Sequence, residues 1–178
     1  MAARELRAKA AQTSLTQSPQ EFLTRSPEET IELGRRLAQE LKPPAVVLLI
    51  GDLGAGKTTL TKGLVAGLGA AVEEEVTSPT FTLVHEYGGE RMRKNQEIPH
   101  VYHVDLYRIE TPQEMTTLGL EDLVSDHQGI VIVECGEKMG AGFRNPWPGS
   151  RLLEIHLQAG DEDIRRIEIC EREAAQPG

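Results

Sequence analysis

The sequence predicts an α/β three-layer sandwich with a mixed, mainly parallel central sheet and an antiparallel hairpin at its edge. Three observations predict it. The glycine-rich run Gly51-Asp52-Leu53-Gly54-Ala55-Gly56-Lys57-Thr58 sits between an apolar strand-like segment, Ala45 to Ile50, and a helix-like segment, Lys57 to Leu68. A second short apolar run, Ile130-Val131-Ile132-Val133, has the composition of a central strand covered on both faces. Near the end, Leu152 to Leu157 and Ile164 to Ile169 flank Gly160-Asp161 as two strands flank a turn.

In chain order, Met1 to Arg25 is rich in Ala, Gln, Ser and Thr without strong periodicity, and reads as a disordered extension. Its basic bias, Arg4, Arg7 and Lys9 against Glu5, is only a faint transit-peptide signal. A single domain is expected over 26–170, with 171–178 as a tail. Ser26-Pro27-Glu28-Glu29 supplies an N-cap serine, a proline at the first helical position and a glutamate for a capping box. Ile31, Leu37, Ala38 and Leu41 give that helix its buried face, and Pro43-Pro44 ends it. The strand 45–50 and the loop follow. The next helix places Leu60, Leu64, Val65 and Leu68 on one side and stops at Gly69. Val76 to Tyr87 is a polar loop followed, after Pro79, by a β-rich run, which Val101 to Tyr107 pairs as an antiparallel neighbour. Thr111-Pro112-Gln113-Glu114 is a second capping box, and Leu120 to Val124 forms another short helix. Residues 138 to 150, with Trp147, read as loop.

The eight-residue run matches G-x-x-x-x-G-K-[ST], the loop of P-loop NTPases. Glycines at 51, 54 and 56 let successive backbone N–H groups turn inward toward phosphate oxygens, and the following helix N-terminus adds donors and partial positive charge. Lys57 can reach the β/γ-phosphates and the Thr58 hydroxyl can ligate Mg²⁺; Asp52, Leu53, Ala55 and Thr59 complete the expected cradle. No N-K-x-D follows, so ATP is the better nucleotide than GTP.

Hydrolysis needs a further carboxylate directed at Mg²⁺ and a group that positions the nucleophile. Asp105, near the end of its strand, can hold Mg²⁺ through water. Glu134 ends the most buried strand and faces the crevice at the carboxyl ends of the strands, where it can polarise an attacking water or join the metal shell. A salt bridge or cap is the ordinary alternative for either. Thr80, in a loop after the phosphate-loop helix, can sense the γ-phosphate or Mg²⁺; Ser-Pro-Thr can equally be a simple turn. His85 and His103 stand on predicted strands and can line the site, although a lone strand histidine is more often structural.

Composition limits the rest. The chain has 178 residues and a net charge of −9, which argues against binding nucleic acid by its own surface. Arg91, Arg93 and Lys94 are a local exception, read by default as a solvated loop, with contact to a partner or RNA as the alternative. No apolar run approaches the ~20 residues a membrane helix needs. Cys135 and Cys170 form no CxxC or metal-ligand spacing, which fits the reducing cytoplasm; Cys135 is expected to be buried rather than reactive.

Taken in order, Leu53 to Thr59, Thr77-Ser78-Pro79-Thr80-Phe81, His103-Val104-Asp105-Leu106-Tyr107-Arg108 and Val131-Ile132-Val133-Glu134 resemble the TsaE (YjeE) family of small bacterial P-loop ATPases, over about Ser26 to Arg166. The resemblance implies a role in making N6-threonylcarbamoyladenosine at position 37 of tRNAs that read ANN codons. It implies ATP and Mg²⁺ as cofactors and the TsaD–TsaB pair as partners, with tRNA reached only through that complex. It also implies Lys57 and Thr58 on phosphate and Mg²⁺, Asp105 in the Mg²⁺ shell, Thr80 as a switch-like hydroxyl and Glu134 as the catalytic carboxylate. One departure is plain: the family follows this glutamate with Trp-Pro, whereas Cys135-Gly136 stands here. Two other functions share the phosphate loop, a small-molecule kinase and a nucleotide-gated binding protein without functional turnover. The kinase would need an Arg-bearing lid, for which 91–94 is a poor candidate.

Overall fold

A computed structural model describes residues 18–89, 97–125, 129–139 and 150–172. The strands are β1 (Gln20–Thr24), β2 (Ala45–Ile50), β3 (Val84–Tyr87), β4 (His100–Asp105), β5 (Gly129–Glu134), β6 (Arg151–Ala159) and β7 (Arg165–Arg172). The α-helices are α1 (Pro27–Ala38), α2 (Lys57–Gly67), α3 (Pro112–Thr117) and α4 (Leu120–Ser125). All seven strands form one sheet in the order β1-β7-β6-β2-β5-β4-β3. The inner four, β6, β2, β5 and β4, are parallel, while β7, β1 and β3 run antiparallel to their neighbours.

Side chains alternate across β2, β4 and β5 to form two cores. Val47, Leu49, Val101, Ile130 and Ile132 face Leu33 of α1 and Leu60 and Leu64 of α2. Val46, Val104, Val131 and Val133 face Met115 of α3 and Leu120 of α4. The sheet with helices on both faces is the expected three-layer sandwich. β5 is buried along its whole length, as its apolar run predicts.

Several expectations are corrected. Residues 20–24 are not extension: they form β1, which pairs with β7 from Gln20↔Ile169 to Thr24↔Arg165. The ordered fold therefore opens before Ser26, and β7 carries it past 170, to Arg172. The remainder of the expected extension, 1–17, and of the tail, 173–178, lies outside the described residues. The 152–169 hairpin is present but not at the edge, because β6 pairs with β2 on one side and β1 covers β7 on the other. The β-rich run after Pro79 is shorter than expected: Thr80 to Leu83 turn, with Leu83 N–H donating to Pro79 O at 2.7 Å, before β3 begins at Val84.

Ser26 caps α1 by accepting from Glu29 N–H at 3.1 Å, but the Glu29 carboxylate accepts from Arg25 N–H rather than closing a box on Ser26. The box at Thr111 and Glu114 is complete. The buried face of α1 consists of Thr30, Leu33, Gly34 and Ala38, with Leu41 just beyond the helix, while Ile31 and Leu37 are half-buried. Gly34 matters because α1 and α2 cross with backbones in contact. A Cβ on Gly34 would sit 2.5 Å from Leu60 O, one on Gly67 would sit 2.6 Å from Ala38 Cβ, and one on Gly63 would overlap the Ile31 carbonyl.

Candidate nucleotide site

β2 delivers the chain into the glycine loop at the carboxyl end of the parallel strands, where α/β sheets place ligands. Gly56 is the N-cap of α2 in the left-handed conformation (φ 98°), and Gly54 is left-handed as well (φ 81°). No side chain caps α2, so its first N–H groups face the loop's concavity. Gly51 is needed for space: a Cβ there would collide with the Leu157 carbonyl on β6. The Lys57 ammonium donates to Gly51 O and, at 3.0 Å, to Asp52 O, bracing the loop from within.

A cavity of about 570 Å³ opens over this loop. Lys57, Thr58, Thr80, Asp105 and Glu134, drawn from four parts of the sequence, all line it, as do Gly51 to Gly54, Gly56 and Thr59. Ala55 does not; it is buried in the core beneath the loop. Parallel pairing of β4 with β5 sets Asp105 opposite Glu134, and both are almost fully buried. Thr58 Oγ1 donates to Glu134 Oε2 at 3.0 Å. Ser78 Oγ and Thr80 Oγ1 reach Asp105 Oδ2 at 2.6 and 3.2 Å, and Tyr107 N–H donates to Oδ1 at 2.9 Å. Burial pushes the Asp105 carboxyl up, but donation from Ser78, the Tyr107 backbone, Thr80 and the Cys135 thiol outweighs it and holds the group below the usual carboxylate value. Asp105 is therefore ionised at neutral pH.

This donor set is a hydroxyl and two carboxylates beside a glycine cradle. Hard oxygen ligands of this kind suit Mg²⁺ held jointly with phosphate oxygens. Thr58, Asp105 and Glu134 are the residues that could hold it.

Sequence reasoning missed several neighbours. Ser78 makes the shortest bond to Asp105. Thr61 places Oγ1 3.4 Å from Glu134 Oε1, and its spacing after Thr58 on one helix could have revealed it. Lys138 donates to the carbonyls of Tyr107 and Ile109, and Arg165 Nη2 donates to Gly54 O at 3.2 Å; both line the cavity from segments that carry no local motif. His103 stands behind Glu134, and His85 contacts Tyr87 away from the cavity. Cys135 is buried, in a left-handed conformation (φ 58°), and burial pushes its thiol up to about 11 against the opposing pull of Lys57. Gly136 lies against Leu48. The basic cluster 91–94 and Trp147 fall outside the described residues.

The family model for threonylcarbamoyl adenosine biosynthesis protein TsaE matches residues 24–167. The chain belongs to the TsaE family. Among TsaE relatives, the Streptomyces coelicolor protein is 47% identical over 144 residues, covering 78% of this chain and 87% of its own. The Nostoc protein is 43% identical over 145 residues, covering 80% of each. The crystal structure of Bacillus subtilis YdiB superposes with a TM-score of 0.60 at 31% identity, covering 88% of this chain and 87% of that one. None of the described helices is long and apolar enough to cross a membrane.

Proposed function

We propose that this TsaE-family chain, which acts in tRNA threonylcarbamoyladenosine biosynthesis, binds Mg²⁺–ATP at the 51–58 loop and hydrolyses it to support a TsaD–TsaB transferase. The observation that carries the reading is convergence: the Thr58–Glu134 bond and the Ser78/Thr80–Asp105 bonds meet at one cavity over the phosphate loop. Glu134 is suited to take the proton of an attacking water, since Oε2 accepts from Thr58 while the carboxylate faces the cavity. Thr80 is suited to exchange its Asp105 bond for one to a phosphate or cation. Such an exchange would couple the 78–80 loop to nucleotide state. Beyond the loop the cavity continues to Pro27, Thr30, Asp163 and Arg165, leaving room for a nucleoside. Cytoplasmic residence and contact with tRNA only through the partners complete the proposal.

Phosphate release measured with and without TsaD and TsaB homologues tests it. Slow Mg²⁺-dependent turnover by the chain alone, raised by the partners, is expected. Absence of stimulation would sink the coupling. Glu134→Gln should keep nucleotide affinity while reducing turnover about 100-fold or more. Full pathway activity of that variant over many turnovers would favour nucleotide gating without functional hydrolysis.

A further inference from the structure

We propose that His103 is a positioning residue for Glu134, holding the carboxylate in the orientation from which it acts on water at the phosphate loop. The inference rests on the hydrolytic reading above. His103 lies on β4, paired with Ile132 of β5, and is 0% exposed. Its Nε2 is 2.7 Å from Glu134 Oε1, on the side of that carboxylate away from the cavity. The rings of His85 and Tyr87 lie against it, with centroids 6.4 and 6.5 Å away, so the imidazole plane is wedged.

Burial assigns the proton on this bond. If Nε2–H donates to an ionised carboxylate, Nδ1 is left as a bare acceptor. If a protonated Glu134 donates to Nε2, or if the ring is an imidazolium, Nδ1–H is left as a bare donor. Nδ1 has no partner among the described residues. A buried N–H without an acceptor is rarer in folded proteins than an unfilled acceptor. Nε2–H is therefore the donor on this bond and Glu134 Oε1 the acceptor.

No neighbour among the described residues duplicates this donor. The Thr61 hydroxyl has one proton, which goes to Lys57 O at 2.9 Å, so its 3.4 Å approach to Oε1 is a secondary contact. The terminal torsion of a glutamate is broad and is fixed by hydrogen bonds rather than by sterics. Here Nε2–H holds Oε1 from behind and Thr58 holds Oε2 from α2, one principal donor per oxygen. Removing His103 frees the carboxylate to rotate and leaves a buried charged oxygen without its main donor.

Two variants of the full chain test the assignment with Mg²⁺–ATP. His103→Leu removes the donor and keeps an apolar filling; His103→Gln returns an N–H near the position of Nε2. His103→Leu should lower kcat about 10- to 100-fold, with the Kd for ADP by calorimetry within about 3-fold of wild type. His103→Gln should recover most of the loss. A merely structural role would lower the melting temperature of both variants without separating kcat from nucleotide affinity. Wild-type kcat in His103→Leu overturns the inference, as does a folded His103→Gln no faster than His103→Leu. A second readout needs no turnover: long-range ¹H–¹⁵N NMR of the histidine rings should show His103 protonated at Nε2, with a resonance that moves in Glu134→Gln. Protonation at Nδ1 overturns the assignment. Should the wild-type chain hydrolyse no ATP, alone or with partners, the hydrolytic reading fails, and the NMR still decides whether His103 holds Glu134.

Discussion

Where α2 meets α1, backbone touches backbone through Gly34, Gly63 and Gly67; where the 78–80 loop meets Asp105, contact is made by hydroxyl protons on one carboxylate. The first contact, between the two helices whose N-terminal ends border the cavity, has no slack, because a close-packed contact cannot shift without overlap. The second can be remade bond by bond, since each hydroxyl can trade the carboxylate for water, a cation or a phosphate oxygen at small net cost. Phe81, beside Thr80, is 81% exposed and Tyr107 is 50% exposed, so little apolar burial anchors this side. The difference puts close backbone packing at the α1–α2 contact and exchangeable hydrogen bonds at the 78–80 loop.

The largest expected effect comes from breaking the rigid contact. Gly63→Ala drives a methyl group into the Ile31 carbonyl, an overlap relieved only by separating the helices. A loss of about 3 kcal/mol is expected, lowering the melting temperature by roughly 6 to 12 °C. Calorimetry would show it; an unchanged melting temperature would mean the helices are not in rigid contact. Next comes Ser78→Ala on the adaptable wall, expected to cost about 1 to 2 kcal/mol because it removes the shortest donor to an ionised group. The pH dependence separates the two. The folded Asp105 carboxyl lies below its ordinary value of 3.8, so its stabilisation is present above that value and lost as pH falls through the folded one. Without divalent cations, the deficit of Ser78→Ala should therefore be full near neutral pH and shrink below about pH 4. That of Gly63→Ala should not track this titration.

Legibility in the sequence follows the same division. The glycine loop, α2, the buried β5 run and the ends of β4 and β5 are specified by local pattern, so Lys57, Thr58, Asp105 and Glu134 could be named and placed near one another. β1 could not be found this way. Gln20 to Thr24 is short and mostly exposed, and only pairing with β7, distant in sequence, makes it a strand. The position of the hairpin failed for a related reason: turn chemistry gives two paired strands but not which edge a third will cover. Gly34 escaped notice because its role depends on another helix, and Arg165 because a β-hairpin turn brings it to Gly54. His103 was visible as a strand histidine, but its meaning lies in register with β5, which no single segment encodes.

Two smaller effects probe the adaptable wall more finely. Thr80→Ala removes a longer bond than Ser78→Ala does, 3.2 Å against 2.6 Å, and should cost about 1 kcal/mol or less in the absence of nucleotide. If Thr80 is the responsive hydroxyl, the same change should be felt more in turnover than in stability; equal effects on both would count against that role. The smallest perturbation concerns Cys135, whose thiol is a weak donor to Asp105. Burial first, then the nearby carboxylates of Asp105, Glu137 and Glu134, overcome Lys57 and push its titration from 9.0 to about 11. A raised value stabilises the protonated thiol in the folded chain, so this contribution is intact below pH 9 and lost as pH climbs toward about 11. Near pH 8 the folded thiolate population is about 100-fold below that of an unperturbed thiol, and iodoacetamide should label Cys135 slower than the denatured chain by at least that factor. Cys170→Ala removes the other thiol from the measurement. Labelling at the denatured rate would show that the corner beside Asp105 opens freely even without nucleotide, and the adaptable wall would then be loose rather than switchable.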